Sequence, residues 1–275
     1  MKKFLVTMGL VAFAFVGCDD SSSASAGSND EPGIESSSSS SGKVTEPAEV
    51  TSSSSVKSES SSSDENSQSS SSKDPELAEG FLTDPRDGQT YKTVTIGTQT
   101  WMAENLNYET DNSFCYNDSA EYCEKYGRLY RWAAAMDGAG TWSTNGKGCG
   151  NGKTCSPTYP VRGVCPQGWH LPDSTEWNTL FTAVGGSSVA GTKLKSTSGW
   201  YNNGNGTDAF SFSALPAGYR DDYAYYNQEG RYAYFWSSAE LNSDGAHYMY
   251  LKYNDDAYLN NNYKNYGYSV RCVKD

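Results

Sequence analysis

The sequence predicts one loop-rich domain of short helices and short strands, held by disulfides and carried at the end of a disordered tether. Three observations lead to this expectation. The first part of the 275-residue chain is signal-like and then rich in serine. The remainder alternates brief helical and strand patterns. That remainder also holds an even number of cysteines, which exported domains pair as disulfides.

The N-terminus has the pattern of a secretory signal. Lys2 and Lys3 precede an apolar run from residue 4 to residue 16, which is too short to span a membrane. The run ends in Phe-Val-Gly-Cys, which resembles a lipobox, so we expect residues 1–17 to be a lipoprotein signal peptide and Cys18 to carry the lipid. The alternative is an ordinary signal peptide followed by an incidental cysteine.

Residues 18–72 form the predicted tether. Residues 19–72 contain 25 serines, 10 acidic and 2 basic side chains, and neither leucine nor an aromatic residue. Such a segment cannot bury enough apolar surface to offset the entropy of ordering its backbone, so we expect it to be disordered. As a flexible coil it would span about 40 Å on average. It would hold the folded domain, residues 73–275, away from the membrane.

Charge and the residues after the cysteine indicate partners and location. The chain has a formal net charge of −12 and no basic patch, which argues against nucleic acid as a partner. We expect the membrane to be contacted through the lipid on Cys18. Asp19 and Asp20 resemble an acidic export signal, which favours the outer membrane and its cell-surface side.

Six cysteines remain once Cys18 is assigned to the lipid. Sequence alone allows many pairings, and locality favours two short bridges and one long one. Zinc is the alternative, but the chain has no Cys-x-x-Cys pair, and neither of its 2 histidines has ligand spacing. We therefore expect no cysteine-bound metal. The expected pairs are Cys115–Cys123, Cys149–Cys155 and Cys165–Cys272.

Two local patterns open the domain. Residues 91–106 alternate apolar and polar around Gly97-Thr98, which predicts a hairpin with a two-residue turn. Residues 126–138, Tyr-Gly-Arg-Leu-Tyr-Arg-Trp-Ala-Ala-Ala-Met-Asp-Gly, place apolar side chains at helical spacing before an Asp-Gly stop. They predict a short amphipathic helix.

Residues 168–177, Gly-Trp-His-Leu-Pro-Asp-Ser-Thr-Glu-Trp, look like a catalytic constellation but predict a helix start. Asp173 caps the helix, and Glu176 follows three residues later, as in a capping box. An apolar stripe continues from there, and two glycines end the helix. The residues of the stripe are Trp177, Leu180, Phe181 and Val184.

No catalytic residue is expected. His170 stands between Trp169 and Leu171, where a histidine is more often packed and hydrogen-bonded than catalytic, and His247 lies in a strand-like run. The chain also has no Gly-x-Ser-x-Gly elbow, no His-Glu-x-x-His helix and no phosphate-binding glycine loop.

The last quarter of the chain consists of short strands and turns rich in tyrosine. Between residues 216 and 268 lie 13 of the 21 tyrosines. Tyrosine is amphipathic and favours strands, so these rings could simply be strand residues. We expect the ligand surface among the tyrosines near turns, which are Tyr219, Tyr223, Tyr225, Tyr226 and Tyr232.

Several ordered motifs resemble the Fibrobacter succinogenes major paralogous domain. They are WMAENLNY, GVCPQGWHLPDSTEW, FSALPAGYR, FWSS and SVRCVKD, spread over nearly all of residues 84–275. WHLPDSTEW and VRCV are more distantly similar to formylglycine-generating-enzyme-like domains, which belong to the C-type-lectin-like fold class. The resemblance implies an α+β domain with two short helices packed on small twisted antiparallel sheets.

The resemblance to the enzyme does not extend to its chemistry. That chemistry needs a reactive cysteine pair in the C-terminal third, where this chain has only Cys272. We therefore expect a non-catalytic binding or adhesion module whose ligand is carbohydrate or an envelope protein. The alternatives are an oxidoreductase of the formylglycine-generating type and a purely structural envelope protein.

Calcium is the one cofactor that the resemblance suggests. Residues 201–210 and 241–247 are loops rich in Asn, Asp and Gly, through which C-type-lectin-like domains often bind Ca²⁺. Neither loop matches the twelve-residue EF-hand spacing, and Asn-Gly runs are ordinary turns. We expect no cofactor, with Ca²⁺ as the alternative.

Overall fold

The structure is a computed structural model that describes residues 79–137 and 148–275. The predicted signal peptide, Cys18 and the tether lie outside the described residues. The helices are α1 (Ala120–Tyr126), α2 (Trp132–Asp137), α3 (Ser174–Ala183) and α4 (Ser187–Leu194). The strands are β1 (Glu79–Thr83), β2 (Thr90–Ile96), β3 (Gln99–Met102), β4 (Ser113–Phe114), β5 (Leu129–Arg131), β6 (Trp169–His170), β7 (Tyr219–Arg220), β8 (Tyr226–Asn227), β9 (Tyr232–Glu240), β10 (Gly245–Lys252), β11 (Ala257–Tyr263), β12 (Gly267–Tyr268) and β13 (Val273–Lys274).

These elements form an α+β structure with three small antiparallel sheets. Its mixed class, small sheets and short helices agree with the prediction, but the described residues contain four α-helices where two were expected. The unexpected α4 follows the two glycines that end α3 and buries Ala190 and Leu194 against the core that α3 contacts. The apolar stripe of α4 is short, so packing rather than sequence periodicity stabilises it.

The first sheet brings the two ends of the domain together. Its strand order is β1-β2-β3-β13-β6. Ile96 pairs with Gln99 across the turn, and Gly97 has a φ of 62°. This confirms the predicted hairpin, since a two-residue turn with glycine first needs a positive φ there. Strand β13 pairs with both β3 and β6, which places the C-terminal strand between them, inside the sheet.

The second sheet corrects the helix predicted over residues 126–138. Its order is β4-β5-β12-β7-β8, and Tyr130 of β5 pairs with Tyr268 of β12. Within the described part of that range, Tyr126 ends α1 and only Trp132–Asp137 forms a helix of its own. Pairing on both sides of β5 satisfies its backbone in an extended form, so tertiary contacts override the local helical pattern.

Helix α3 begins as predicted. Asp173 accepts a hydrogen bond from the Glu176 backbone at 2.8 Å, and the Glu176 side chain accepts one from the Asp173 backbone at 2.9 Å. This capping box satisfies two backbone N–H groups at the helix start. Trp177 is fully buried, and its ring centroid lies 4.7 Å from that of Trp101 in β3. The predicted stripe therefore forms the core face of the helix.

All three predicted disulfides are present. Cys115–Cys123 and Cys149–Cys155 close short loops, with sequence separations of 8 and 6. Cys165–Cys272 joins positions 107 residues apart, with their Cα atoms 5.9 Å from each other. The long bridge ties the segment before β6 to the segment before β13, beside the pairing of those two strands.

The third sheet, with the order β11-β10-β9, separates two buried cores. One core contains the apolar side chains of α3 and α4, and the other contains those of α2 and the long disulfide. Among the described residues, no helix has both the length and the apolar character needed to cross a membrane.

Candidate functional site

Side chains alternate along the strands of the third sheet. One face of the sheet therefore packs on the core that contains α3 and α4, and the other face carries aromatic rings. In β9, Ala233 and Phe235 belong to the core that contains α3 and α4. Tyr234 and Trp236 pack against the other core, on the opposite face. Successive side chains of a strand point to opposite faces, so the sequence Tyr-Ala-Tyr-Phe-Trp gathers every second ring on one side.

Strands β10 and β11 continue the aromatic face in register. Tyr234 lies opposite Tyr250, and Tyr250 lies opposite Tyr258. The ring centroids of Tyr250 and Tyr258 are 4.8 Å apart with 12° between the planes. Those of Tyr234 and Tyr250 are 5.9 Å apart with 25° between the planes. The three rings form one stack across the three strands.

The second sheet adds rings at the side of this stack. Tyr268 lies nearly parallel to Tyr234, with centroids 4.9 Å apart, and Tyr219 stacks on Tyr266 at 5.7 Å. Tyr219 also meets Tyr234 edge-on at 5.3 Å. We call the connected set the tyrosine array. Its members are Tyr219, Tyr232, Tyr234, Tyr248, Tyr250, Tyr258, Tyr266 and Tyr268.

Trp236 fixes the inner side of the array to the core. Its ring centroid lies 4.3 Å from that of Tyr268, and its indole N–H donates a hydrogen bond to the Tyr130 backbone carbonyl at 2.7 Å. Tyr268 and Tyr248 are buried, whereas the other members of the array are half-buried. The array is therefore a packed aromatic layer with an accessible outer side.

The hydroxyl groups of the array differ in their hydrogen-bond partners. Within the described part of the chain only two of them have protein partners. The Tyr258 hydroxyl donates to the Asp256 carboxylate at 2.8 Å, and the Tyr268 hydroxyl accepts from the Asn262 amide at 2.7 Å. The other six form no hydrogen bond to described residues, and none of their oxygens is sealed from solvent.

Burial raises the pKa of several phenols of the array. It raises the pKa of Tyr248 to about 12 and raises the pKa of Tyr234 further. It also raises the pKa of Tyr219 and Tyr266, to which nearby Asp221 contributes. A neutral phenol both donates and accepts hydrogen bonds. The array thus offers a set of paired donor and acceptor groups on a rigid base.

The charged groups beside the array are mainly acidic. Asp221 and Asp222 follow β7 and lie close enough to Tyr266 to contribute to its raised pKa. Lys252 lies opposite Tyr232 in the sheet, and its ammonium group is 4.7 Å from the centroid of the Tyr258 ring. This cation is therefore already placed over a ring of the array.

The five tyrosines predicted as ligand-binding residues do not form one group. Tyr219 and Tyr232 belong to the array. Tyr223 is 78% exposed and lies near Tyr266, whereas Tyr225 is 69% exposed on the same hairpin. Tyr226 instead packs on Tyr116, with centroids 5.2 Å apart, and its hydroxyl donates to Asp118.

Sequence reasoning overlooked several members of the array. Tyr266 and the strand residues Tyr234, Tyr250 and Tyr258 are not among the expected ligand residues, and strand alternation is what places the last three on one face. The runs Tyr-Ala-Tyr-Phe-Trp and Tyr-Met-Tyr-Leu-Lys carried the signal, since each places rings at every second position.

His170 occupies a structural position. Its Nδ1 atom lies 2.7 Å from Asp275 Oδ1, and its Nε2 atom lies 2.7 Å from Glu176 Oε1. Burial acts against the charged ring, but the hydrogen bonds to Glu176 and Asp275 together raise the pKa of His170. Both ring nitrogens are thus engaged. His247 lies half-buried in β10.

The cysteines and the possible metal ligands of the described residues are also predicted to have structural roles. All six of their cysteines are in disulfides. They contain no group of three His, Cys, Asp or Glu side chains placed to hold a metal ion. In the loop at residues 241–247, the Asn242 side chain accepts hydrogen bonds from the backbone of Asp244 and Gly245, as in an ordinary turn.

Other clefts of the described domain hold about 290 to 560 Å³, and one of about 560 Å³ lies beside Tyr225 and Tyr226. One of about 300 Å³ lies between β2 and α1, where Lys92 and Lys125 stand with Glu104 and Glu124. Another of about 290 Å³ lies beside His170 and the start of α3. None of these clefts is lined by a stacked set of rings as the array is, so the tyrosine array is the stronger candidate for a site.

Comparison with known proteins identifies the domain. The family model described as the Fibrobacter succinogenes major domain matches residues 94–274. The match covers the hairpin turn, all three disulfides and the tyrosine array. No curated protein and no solved structure matches the chain.

Proposed function

We propose that this chain, which belongs to the Fibrobacter succinogenes major domain family, is a cell-envelope lipoprotein that presents a non-catalytic carbohydrate-binding module. The tyrosine array is the observation that carries this proposal. A sugar carries apolar C–H groups and hydroxyls, and a layer of tyrosines offers the apolar edges of its rings together with hydroxyl partners.

The N-terminal segment supports a position at the cell surface. We propose that lipid on Cys18 anchors the protein in the outer membrane, on the outer leaflet. The serine-rich tether, about 40 Å long on average as a flexible coil, would let the array reach ligands beyond the membrane surface. An anchor, a tether and an aromatic binding face are the parts of an adhesion module.

Two observations favour binding over catalysis. The six cysteines of the domain are paired, which leaves no thiol pair there for an oxidoreductase of the formylglycine-generating type. His170 has both ring nitrogens on carboxylates and is not free to act as a base. We also propose that the fold is C-type-lectin-like, which the packing of α3 and α4 on small antiparallel sheets supports.

Retention of the full, detergent-solubilised protein on polysaccharides tests the proposal. The panel should include cellulose, xylan, mannan and chitin, each assayed with wild type and with the double variant Tyr250→Ala/Tyr258→Ala. We expect wild type to bind at least one polymer and the double variant to bind it at least about tenfold more weakly. That factor equals about 1.4 kcal/mol, within reach of two lost aromatic contacts.

Phe81→Ala is the matched control. Phe81 is 76% exposed on β1, in a different sheet, so its loss should leave binding unchanged. Circular dichroism would show that each variant is folded, and Tyr232→Ala replaces the double variant if that one unfolds. Wild type that binds no polymer, or folded array variants that bind as well as wild type, would leave a structural role as the better account.

A further inference from the structure

We propose that the tyrosine array recognises the hydroxyl edges of an uncharged polysaccharide chain, rather than stacking on the faces of its sugar rings. The inference rests on the proposed carbohydrate-binding function and specifies its ligand class. It follows from the orientation of the rings, from their free hydroxyls and from the charges at the border of the array.

The ring faces are largely covered by one another. Tyr250 has Tyr258 on one side at 4.8 Å and Tyr234 on another at 5.9 Å. Tyr234 also stacks on Tyr232 at 5.5 Å, with 13° between the planes, and on Tyr268 at 4.9 Å. A ring that is stacked on both sides cannot also offer a face to a sugar. What such rings present to solvent is their edges.

The ring edges carry the hydroxyl groups, and most of these form no hydrogen bond to described residues. Unlike Tyr258 and Tyr268, the remaining six members of the array have hydroxyls with no hydrogen-bond partner among the described residues, and none of those oxygens is fully enclosed. The free hydroxyls belong to Tyr219, Tyr232, Tyr234, Tyr248, Tyr250 and Tyr266. Because neighbouring rings hold one another in place, little side-chain freedom is lost when these hydroxyls bind a ligand.

The charges around the array favour an uncharged chain. Asp221 and Asp222 border it near Tyr266, and Asp256 lies at the Tyr258 hydroxyl. Lys252 is held over the Tyr258 ring, and the whole chain has a formal net charge of −12. A polyanion would meet repulsion here, whereas a neutral polyol can pair with phenols that both donate and accept.

Hydroxyl-only substitutions test the mode of recognition. The double variant Tyr232→Phe/Tyr250→Phe keeps the stacked rings and removes two free hydroxyls. We expect its affinity for hydroxyethyl cellulose, or for the best neutral polymer of the panel, to fall about tenfold in affinity electrophoresis. Tyr201→Phe is the matched control, because Tyr201 is 52% exposed outside the array, and this variant should bind as wild type does.

A matched anionic polymer tests the ligand class. Carboxymethyl cellulose should bind more weakly than hydroxyethyl cellulose at low salt, and the difference should shrink as salt screens the border carboxylates. Tighter binding of the anionic polymer would overturn the inference. If the Phe variant binds as well as wild type while Tyr250→Ala/Tyr258→Ala does not, the inference fails and the proposed function stands. If wild type binds no polymer, both fail.

Discussion

Glu176 binds the imidazole of His170 with the same carboxylate that closes the capping box of α3. Its Oε1 atom lies 2.7 Å from His170 Nε2, and its Oε2 atom accepts from the Asp173 backbone at 2.9 Å. The other ring nitrogen lies 2.7 Å from Asp275 Oδ1. One buried histidine therefore links the start of α3 to Asp275, which directly follows β13. The His170 side chain thus has a structural role in a segment whose residue types resemble those of a catalytic site.

This link predicts that His170 stabilises the fold most at low pH. The pKa of His170 is raised in the folded protein above the unfolded value of about 6.5. Its contribution is therefore complete below pH ~6.5 and is lost as pH rises through the higher folded pKa. His170→Gln should lower the free energy of unfolding by about 1.5–3 kcal/mol at pH 5.5 and by about 1 kcal/mol at pH 8.5.

Urea unfolding at the two pH values checks this prediction. Asp275→Asn, which removes one of the two carboxylates, should reduce the pH dependence of the His170 contribution. A cost of His170→Gln that is the same at both pH values, or larger at pH 8.5, would contradict the link as described.

Trp177 should be among the most costly side chains to truncate. It is fully buried between Trp101 at 4.7 Å and Phe235 at 5.9 Å, measured between ring centroids. Trp177→Ala should leave a large cavity and lower the free energy of unfolding by about 3–5 kcal/mol. Asn178→Ala, on the exposed side of the same helix, should change it by less than about 0.5 kcal/mol. Similar effects of the two changes in urea unfolding would refute the assigned core face.

The long disulfide should stabilise the domain more than a short one. In the chain-entropy model, removing Cys165–Cys272 with paired serines costs roughly 4.8 kcal/mol, whereas removing Cys115–Cys123 costs roughly 2.5 kcal/mol. The difference arises because the first bridge closes a loop with a separation of 107 residues and the second one of 8. Thermal unfolding of the two double variants checks this prediction. A larger loss of stability on removal of Cys115–Cys123 than on removal of Cys165–Cys272 would disprove it.

Cys18 should carry the anchor. Cys18→Ala should move the protein from the detergent phase to the aqueous phase in detergent phase separation, or block cleavage of its signal, because the acyl chains supply the membrane affinity. Mass spectrometry of the wild-type N-terminal peptide should find acylated cysteine. Cleaved wild-type protein that stays soluble would exclude lipidation.

Local features of the fold could be read from the sequence. The hairpin at Gly97, the capping box of Asp173 and Glu176, and the buried stripe of α3 depend on residues only a few positions apart. The cysteine pairing followed from similar locality, once two short bridges left Cys165 and Cys272 for each other. Backbone preference and side-chain periodicity act over such short distances, so both can be recognised from residues that are neighbours in the sequence.

Tertiary structure alone decided the rest, because its contacts join residues far apart in the chain. Tyr130 became part of a strand because it pairs with Tyr268, although its own neighbourhood favours a helix. His170 meets Asp275 across 105 positions. The tyrosine array unites rings from β7, β9, β10, β11 and the segment around β12, so sequence showed that tyrosines are abundant but not which ones share a face. That choice depends on strand register and on how two sheets meet, which only the folded chain determines.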